Sequence, residues 1–319
     1  MLRYVARRLA FAVFLVLAVS SSSLVLARLA PGDFASASRG LDASRESLEQ
    51  MRARLGLNKS IAAQYRDWLA AALRLDLGRS LQFDRPVAEL IPERAANTAI
   101  LSIAALVLAT AIGLPLGTIA GSRRAGWLAG AIRACSLVFV SMPPLLTSLF
   151  LVFLAARTGW LPVGGMRSAS ALGSNTGGVA DMLRHLVVPA AAVALPLAAM
   201  LERLQAQSIG EAIGQPFVMA TIARGVPARR VLWRDAMKAS LRPVAAVYGL
   251  IIGTLLRGSF AVEVVTSWPG LGSLMLDALR TRDVFLVAGC AGAGAVFLAI
   301  GTLVSDLALA AVDPRAREA

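Results

Sequence analysis

Six uncharged, strongly apolar runs constrain the fold of this chain more than any other feature of its sequence. A helix needs about 20 apolar residues to cross a bilayer, and most of the runs reach or approach that length. Two of them, Leu186–Leu201 and Pro243–Leu256, are shorter and are bounded by charged residues. With 57% hydrophobic residues, the chain is more apolar than a soluble domain requires. The sequence therefore predicts an all-α membrane protein with six transmembrane helices, at Leu9–Ala27, Ala95–Ser122, Ala134–Ala156, Leu186–Leu201, Pro243–Leu256 and Val284–Ser305.

The distribution of basic residues predicts how the chain is oriented in the membrane. The formal net charge is +13, and short cytoplasmic loops of membrane proteins are enriched in Lys and Arg. If the N-terminus is cytoplasmic, six spans place both termini in the cytoplasm. The inner segments then hold Arg3, Arg7, Arg8, Arg123, Arg124, Arg133, the basic stretch after Ser208, Arg315 and Arg317. For most of these arginines we expect anionic membrane lipid, and no nucleic acid, as the partner.

The first apolar run also resembles a signal peptide, because arginines precede it. However, the run at Leu9–Ala27 is longer than a usual signal-peptide core, and no clear A-x-A cleavage site follows it. We therefore expect a retained first span. Residues 31–94 then form the largest segment outside the spans, with helical spacing over Ser44–Leu55 and Ala62–Leu75. This outer segment is either a small helical cap on the membrane domain or a surface that meets a partner or substrate.

A long polar stretch, residues 208–243, interrupts the apolar second half of the chain. Gly-x-Pro occurs in it twice, at Gly214-Gln215-Pro216 and Gly225-Val226-Pro227. Gly is favoured just after a helix and Pro at the first position of the next one. The pattern predicts a short helix over about Pro216–Arg224, a break, and a longer basic helix from Pro227. A short helix held between two breaks is a candidate docking element.

Two features of the spans suggest a polar pathway. Ser141-Met142-Pro143-Pro144 should kink or unwind the third span. Arg257 lies at the end of the fifth apolar run, followed six residues later by Glu263. Charged side chains at membrane depth usually face a cavity or a partner, although Arg257 could instead extend to the outer interface. Residues 267–283 then predict a re-entrant or interfacial piece with a short amphipathic helix.

The sequence lacks the usual signatures of catalysis. It contains no G-x-x-x-x-G-K-[ST] phosphate loop, so we do not expect nucleotide hydrolysis by that route. His185 is the single histidine, and Cys135 and Cys290 lie inside apolar runs, so we expect neither a metal site nor a disulfide framework. We interpret His185 as a core or span-capping residue. Transport driven by a separate energy-supplying subunit fits this pattern better than an enzyme or a secondary transporter.

Several segments, in order along nearly the whole chain, resemble the permease subunit of bacterial ABC importers of the dipeptide/oligopeptide/nickel type. They are LRYVARRLAFAVFLVLAV with LARLAPGD, LGLNKSIAAQYRDWLAAALRLDLGRSLQFDRPVAELIPER, RHLVVPAAAVALPLAA, PFVMATIARGVPARRVLWRDAMKASLRPV, VEVVTSWPGLGSLMLDAL and SDLALAAVDPRAR. The resemblance implies a first span, an external segment and a type I importer core. It implies an N-terminal part over 1–94, a transmembrane domain over 95–312 with the coupling loop 208–243, and a cytoplasmic tail over 313–319.

The same resemblance implies partners and a location. In this family two permeases, usually unlike, form the pathway in the bacterial inner membrane, and a solute-binding protein delivers the substrate outside. Two cytoplasmic ATPase subunits use ATP and Mg²⁺ and bind a short coupling helix, so we expect this chain to bind no cofactor itself. The candidate ATPase-coupling residues are Phe217, Ala220, Thr221, Ala223, Arg224 and Gly225. The candidate pathway residues are Arg257, Glu263, Ser141 and Pro143.

The chain departs from the family pattern in places that concern the substrate and the ATPase partner. The coupling loop reads Phe217-Val218-Met219-Ala220-Thr221-Ile222-Ala223-Arg224-Gly225, with one basic residue fewer than is common in the family. Arg257 stands where small apolar residues are usual, so we hypothesise that it selects a carboxylate or another anion. Peptide is the commonest substrate in the family, and nickel, an oligosaccharide or an opine-like solute are the alternatives.

Overall fold

The computed structural model describes residues 2–39, 45–55, 57–122, 126–168 and 178–312. Within these ranges the regular secondary structure is helical, apart from an isolated β-bridge between Arg79 and Pro86. The helices are α1 (Leu2–Leu29), α2 (Phe34–Arg39), α3 (Arg45–Arg54), α4 (Ile61–Ala72), α5 (Val87–Ser122), α6 (Trp127–Ser141), α7 (Pro144–Thr158), α8 (Val179–Ile213), α9 (Pro216–Ala223), α10 (Ala228–Arg230), a π-helix (Val231–Ala236), α11 (Met237–Val265), α12 (Leu271–Thr281) and α13 (Val284–Val312). The predicted tail 313–319 and the predicted inner residues Arg123 and Arg124 lie outside the described residues.

Five helical segments in the described ranges are long and apolar enough to cross a membrane, and a bent helix pair makes up to six. This agrees with the predicted all-α protein with six spans. The five segments are Ala6–Leu29, Val87–Ser122, Val179–Ile213, Pro243–Val265 and Val284–Val304. The bent pair, α6 and α7, corresponds to the predicted third span.

The third span is interrupted where the sequence predicted that it should kink or unwind, at residues 141–144. α6 and α7 are separate 15-residue helices at an angle of 108°. Two adjacent prolines, Pro143 and Pro144, remove two backbone donors, and the residue before each proline is biased away from the helical region. Met142 accordingly adopts an extended conformation with ψ 117°.

The fourth and fifth spans are longer than the apolar runs predicted. α8 continues to Ile213 past Glu202 and Arg203, and contains Pro189 and Pro196 in its interior. The basic helix expected from Pro227 and the span expected from Pro243 form one continuous helical stretch through α10, the π-helix and α11. Pro243, the first residue of the predicted fifth span, lies in the interior of α11.

The chain divides into two compact units, and the first comprises residues 1–98 and 269–299. Its core includes Leu24 of α1, Trp68 of α4 and Ala288 of α13. α3 and α4 agree with the two helices predicted in the outer segment. α12 is the short amphipathic helix predicted within residues 267–283.

Two polar clusters stabilise the first unit. Asp33 accepts a hydrogen bond of 2.6 Å from Arg52 Nε and another of 3.0 Å from the Ser36 backbone amide. Burial raises the pKa of Asp33, but the hydrogen bonds from Arg52 and Ser36 outweigh burial, and the pKa lies below its ordinary value. Asp283 is fully buried, accepts a hydrogen bond of 2.7 Å from Ser80 Oγ, and caps α13 through the Leu286 amide at 3.1 Å.

The second unit comprises residues 99–268 and 300–319, and α8 is its most buried helix. α8 packs against α6, α7 and α11, and glycines of α5 allow α5 to approach it closely. A Cβ built on Gly117 would lie 2.5 Å from the backbone oxygen of Glu202. The apolar core of this unit therefore surrounds α8, with Ala194, Leu201, Val244 and Ile251 among its fully or almost fully buried residues.

Candidate coupling site and pathway residues

The short helix α9 forms where the two Gly-x-Pro triplets predicted it. Pro216 occupies its first turn, after Gln215 in an extended conformation. The helix ends at Ala223, and Gly225 has φ +84°, a left-handed conformation that glycine adopts without the steric cost of a Cβ. Helical structure resumes at Ala228, directly after Pro227. Local sequence signals thus explain both ends of α9.

Most of α9 is exposed, including most of the predicted coupling residues. Phe217, Ala220, Ala223 and Arg224 are exposed, and Thr221 is partly buried. The Thr221 hydroxyl donates a hydrogen bond of 2.8 Å to the Phe217 carbonyl, and Arg224 Nη2 donates one of 3.0 Å to Thr221 Oγ1. The second of these bonds holds the Arg224 guanidinium one turn back along the helix, at Thr221.

Sequence reasoning missed two further apolar side chains on this helix. Met219 is 61% exposed and Ile222 is 44% exposed, comparable with 46% for Phe217. Val218, in contrast, is 1% exposed and packs against the rest of the chain. The signal was present in the sequence as large apolar residues between two helix breaks, but only burial distinguishes the anchoring residue from the exposed ones.

The support beneath α9 is apolar and is built from the elements on either side of it. α9 contacts the end of α8 and the π-helix. Ile209 and Ala212 of α8 form a buried cluster with Ala236 of the π-helix. Because both flanking elements lead directly into candidate spans, a displacement of α9 would move the ends of α8 and α11.

The basic residues after α9 are exposed. They are Arg229, Arg230, Arg234 and Lys238. This exposure is compatible with the predicted contact with anionic lipid head groups.

The predicted pathway residues fall into two environments. Arg257 is exposed and forms no hydrogen bond or ion pair with any described residue. The next residue, Gly258, lies against Pro144, since a Cβ built on it would be 3.2 Å from Pro144 Cγ. Ser141 and Pro143, also exposed, belong to the same break between α6 and α7. The structure therefore brings the turn that holds Arg257 next to this break.

Glu263 is placed differently from the other pathway candidates. It is fully buried within the second unit, whereas Arg257 is exposed. Six residues along a helix correspond to about one and two-thirds turns, which directs the two side chains to different faces. Glu263 is therefore not brought together with the other three candidates.

The described residues contain no group of three or more His, Cys, Asp or Glu side chains that could hold a metal ion. His185 is buried, and its Nδ1 lies 2.9 Å from the Asp181 carbonyl oxygen, which agrees with the predicted core histidine. Cys290 is buried and Cys135 is exposed.

Comparison with known families decides the class of protein. Residues 113–318 match the binding-protein-dependent transport system inner membrane component family, and residues 1–102 match the corresponding N-terminal family of such membrane components. The chain belongs to this family. It is thus a permease subunit, a multi-pass component of the bacterial inner membrane and not an enzyme, as the resemblance implied.

Relatives of this permease match it along its whole length. A Brucella suis protein named as a peptide permease is 33% identical over 319 residues, which cover 99% of each chain. The oligopeptide transport system permease protein AppB of Bacillus subtilis is 30% identical over 317 residues, again 99% of each chain. A Sinorhizobium fredii protein named as a peptide ABC transporter permease is 30% identical over 322 residues, covering 98% of this chain and 99% of that protein.

Proposed function

We propose that this permease forms half of the pathway of an ATP-driven peptide importer and couples to cytoplasmic ATPase subunits through α9. The observation that carries the coupling proposal is the exposure of Phe217 and Arg224 on α9, a short helix between two breaks. A short helix that exposes both apolar and cationic side chains suits a groove in a protein partner. The buried anchor Val218 allows a docked α9 to transmit force to α8 and α11.

For the rest of the assembly we propose the arrangement that the family resemblance implies. The second half of the pathway is another permease subunit, usually a different chain, and an extracytoplasmic binding protein delivers the peptide. Two ATPase subunits bind ATP and Mg²⁺, while this chain binds no cofactor. Both termini lie in the cytoplasm, so that α9, between the spans in α8 and α11, lies on the cytoplasmic side together with the basic residues that follow it.

Peptide is the proposed substrate because the relatives that match the whole chain are named as peptide or oligopeptide permeases. Arg257 adds a specific feature. An exposed guanidinium without a partner among the described residues, beside the α6–α7 break, can bind a carboxylate through two parallel hydrogen bonds. We propose that it contacts the C-terminal carboxylate or an acidic side chain of the peptide during transport.

The coupling proposal is tested in the complete transporter reconstituted in liposomes. Phe217→Ala and Arg224→Ala should each lower ATP-dependent peptide uptake about tenfold or more, as expected for side chains central to an interface. Arg229→Ala, which removes an exposed cation outside α9, is the matched control and should retain uptake. The amount of ATPase that co-purifies is measured in parallel. Unchanged uptake and ATPase binding in both α9 variants would refute the proposal.

The substrate contact is tested by comparing peptides with a free and an amidated C-terminus. Arg257→Ala should reduce uptake of the free-carboxylate peptide selectively, and Arg257→Lys should restore only part of it, because Lys lacks the planar two-pronged geometry. Arg280→Ala, at an exposed position of α12, is the control. Equal effects on both peptides would exclude recognition of the C-terminal carboxylate by Arg257 while leaving the coupling proposal intact.

A further inference from the structure

Two polar side chains lie deep in the second unit, one turn apart on α8. Glu202 is 1% exposed and Gln205 is fully buried. Residues three apart on a helix share a face, so the two side chains are neighbours. They lie at a close approach of α5, because Gly117 of α5 packs on the Glu202 backbone oxygen and on the Gln205 side chain.

The orientation of the Gln205 amide is determined by its neighbours. Gln205 Nε2 donates hydrogen bonds of 3.1 Å to Thr118 Oγ1 on α5 and 2.9 Å to Ser240 Oγ on α11. The Thr118 hydroxyl donates its proton to the Leu114 carbonyl at 2.8 Å, and the Ser240 hydroxyl donates its proton to the Met237 carbonyl at 2.8 Å. Both hydroxyls can therefore only accept from Gln205, and a flipped amide would place its oxygen against two groups that have no proton to give.

This arrangement leaves three buried oxygens without a donor. They are Oε1 and Oε2 of Glu202 and Oε1 of Gln205, which have no hydrogen-bond partner. A buried carboxylate without a partner is destabilising, whereas buried polar groups in native proteins are nearly always satisfied. The carboxylate of Asp283 is equally buried, but its oxygens are satisfied, since the Ser80 hydroxyl and the backbone N–H groups of Gln82 and Leu286 donate hydrogen bonds to it.

The chemistry of the three oxygens identifies the class of ligand that satisfies them. All three are acceptors, so they require a cation or a donor, and oxygen ligands select hard cations. The site has one negative charge, which a monovalent ion neutralises, whereas divalent ions are usually held by several carboxylates. Among the described residues there is no cationic side chain paired with Glu202.

We propose that Glu202 and Gln205 form a binding site for a small monovalent cation, with Na⁺ as the probe. The cation neutralises Glu202 inside the membrane domain. Because Gln205 also bonds to α5 and α11, the ion links three helices of the second unit. The proposal rests on these contacts alone and requires neither the peptide substrate nor the ATPase contact through α9.

The test measures ion binding and stability of the assembled transporter in nanodiscs. At constant ionic strength, NaCl in place of N-methylglucamine chloride should raise the unfolding temperature of this subunit by roughly 5 °C. Radioactive Na⁺ should bind at about one ion per copy of the permease. Glu202→Gln should abolish the salt-specific shift and the bound ion, even if removing the buried charge raises stability in the absence of Na⁺.

Two variants keep the result interpretable. Gln205→Met retains the carboxylate, removes one ligand oxygen, and should weaken Na⁺ binding by about tenfold or more. Glu211→Gln changes an exposed carboxylate on the same helix and should bind Na⁺ normally. Equal stability in Na⁺, K⁺, Li⁺ and N-methylglucamine, with no bound Na⁺, would overturn the proposal. A stabilisation that depends on pH and not on the identity of the cation would also overturn it, because a proton on the Glu202 carboxyl would then take the place of the ion.

Discussion

Replacing Gly117 by alanine is the sharpest available test of how α5 packs on α8. A Cβ at this position would lie 2.5 Å from the Glu202 backbone oxygen and 2.7 Å from Gln205 Cβ, whereas ordinary van der Waals contact begins at 3.4 Å. The two helices must therefore separate by about 1 Å, and the backbone oxygen cannot rotate away as a flexible side chain could. Overpacking of this kind costs about 1–3 kcal/mol.

The same substitution also has a favourable effect that must be subtracted. Alanine is better than glycine in a helix by about 0.5–1 kcal/mol. The substitution Gly210→Ala in α8 measures this helix-propensity gain alone, because a Cβ at Gly210 would meet no atom within 4 Å. Gly210→Ala should therefore stabilise the protein slightly, and Gly117→Ala should destabilise it by a net value of about 1–2 kcal/mol.

The assay is thermal unfolding of the purified permease in nanodiscs, followed by circular dichroism. A difference of about 1.5–3 kcal/mol between the variants corresponds to about 3–12 °C in unfolding temperature. Gly117→Ala should have the lower unfolding temperature, with Gly210→Ala at or above the wild-type value. Equal or reversed temperatures would refute the close approach of α5 and α8 at Gly117.

Three further predictions concern other parts of the chain. Gly225→Ala should strain the left-handed residue after α9 by about 1 kcal/mol and reduce ATP-dependent uptake, whereas Gly214→Ala, at φ −75°, should have a smaller effect on uptake in the same liposome assay. Asp283→Asn should destabilise the first unit by about 2–4 kcal/mol, because a buried network loses a charged acceptor, while Asp277→Asn at an exposed site should leave the unfolding temperature unchanged. Because the pKa of Asp33 is lowered on folding, its ionised carboxylate stabilises the folded state at pH values above its unfolded pKa of about 3.9. This stabilisation is lost as the pH falls through the folded pKa, so proteolysis of residues 31–94 should accelerate in that acid range. An identical pH profile of proteolysis in Asp33→Asn would contradict this prediction.

The position of α9, the proposed coupling helix, could be predicted because its sequence signals are local. Pro216 and Gly225 act on the backbone within a few residues, so they specify the ends of α9 in almost any tertiary context. The apolar spans were predictable for a similar reason, since the bilayer requires long apolar helices whatever their neighbours are. By contrast, the exposure of Met219 and the burial of Val218 depend on the elements that support α9, and local sequence does not specify them.

The buried polar groups were not predictable in this way. Glu263 was predicted as a pathway residue because it is charged and close in sequence to Arg257, but the sequence did not indicate that it is fully buried within the second unit. Nothing in the sequence marked Asp283 or Glu202 as unusual. Only long-range contacts show that the Asp283 carboxylate accepts hydrogen bonds and that the Glu202 carboxylate has no donor. Burial is a property of packing between distant segments, and a single residue's identity does not encode it.

The sequence by itself therefore determined the class of this protein, its apolar spans and the short helix between Gly214 and Gly225, because hydrophobicity, Gly and Pro act locally on the chain. The tertiary structure decided that the predicted third span is two helices at 108°, since two prolines permit a break but do not specify its angle. It also decided which charged side chains are buried. Burial of Glu202 and Gln205 depends on α5, α8 and α11 packing together. The same packing places the oxygens of the proposed cation site in the core of the second unit.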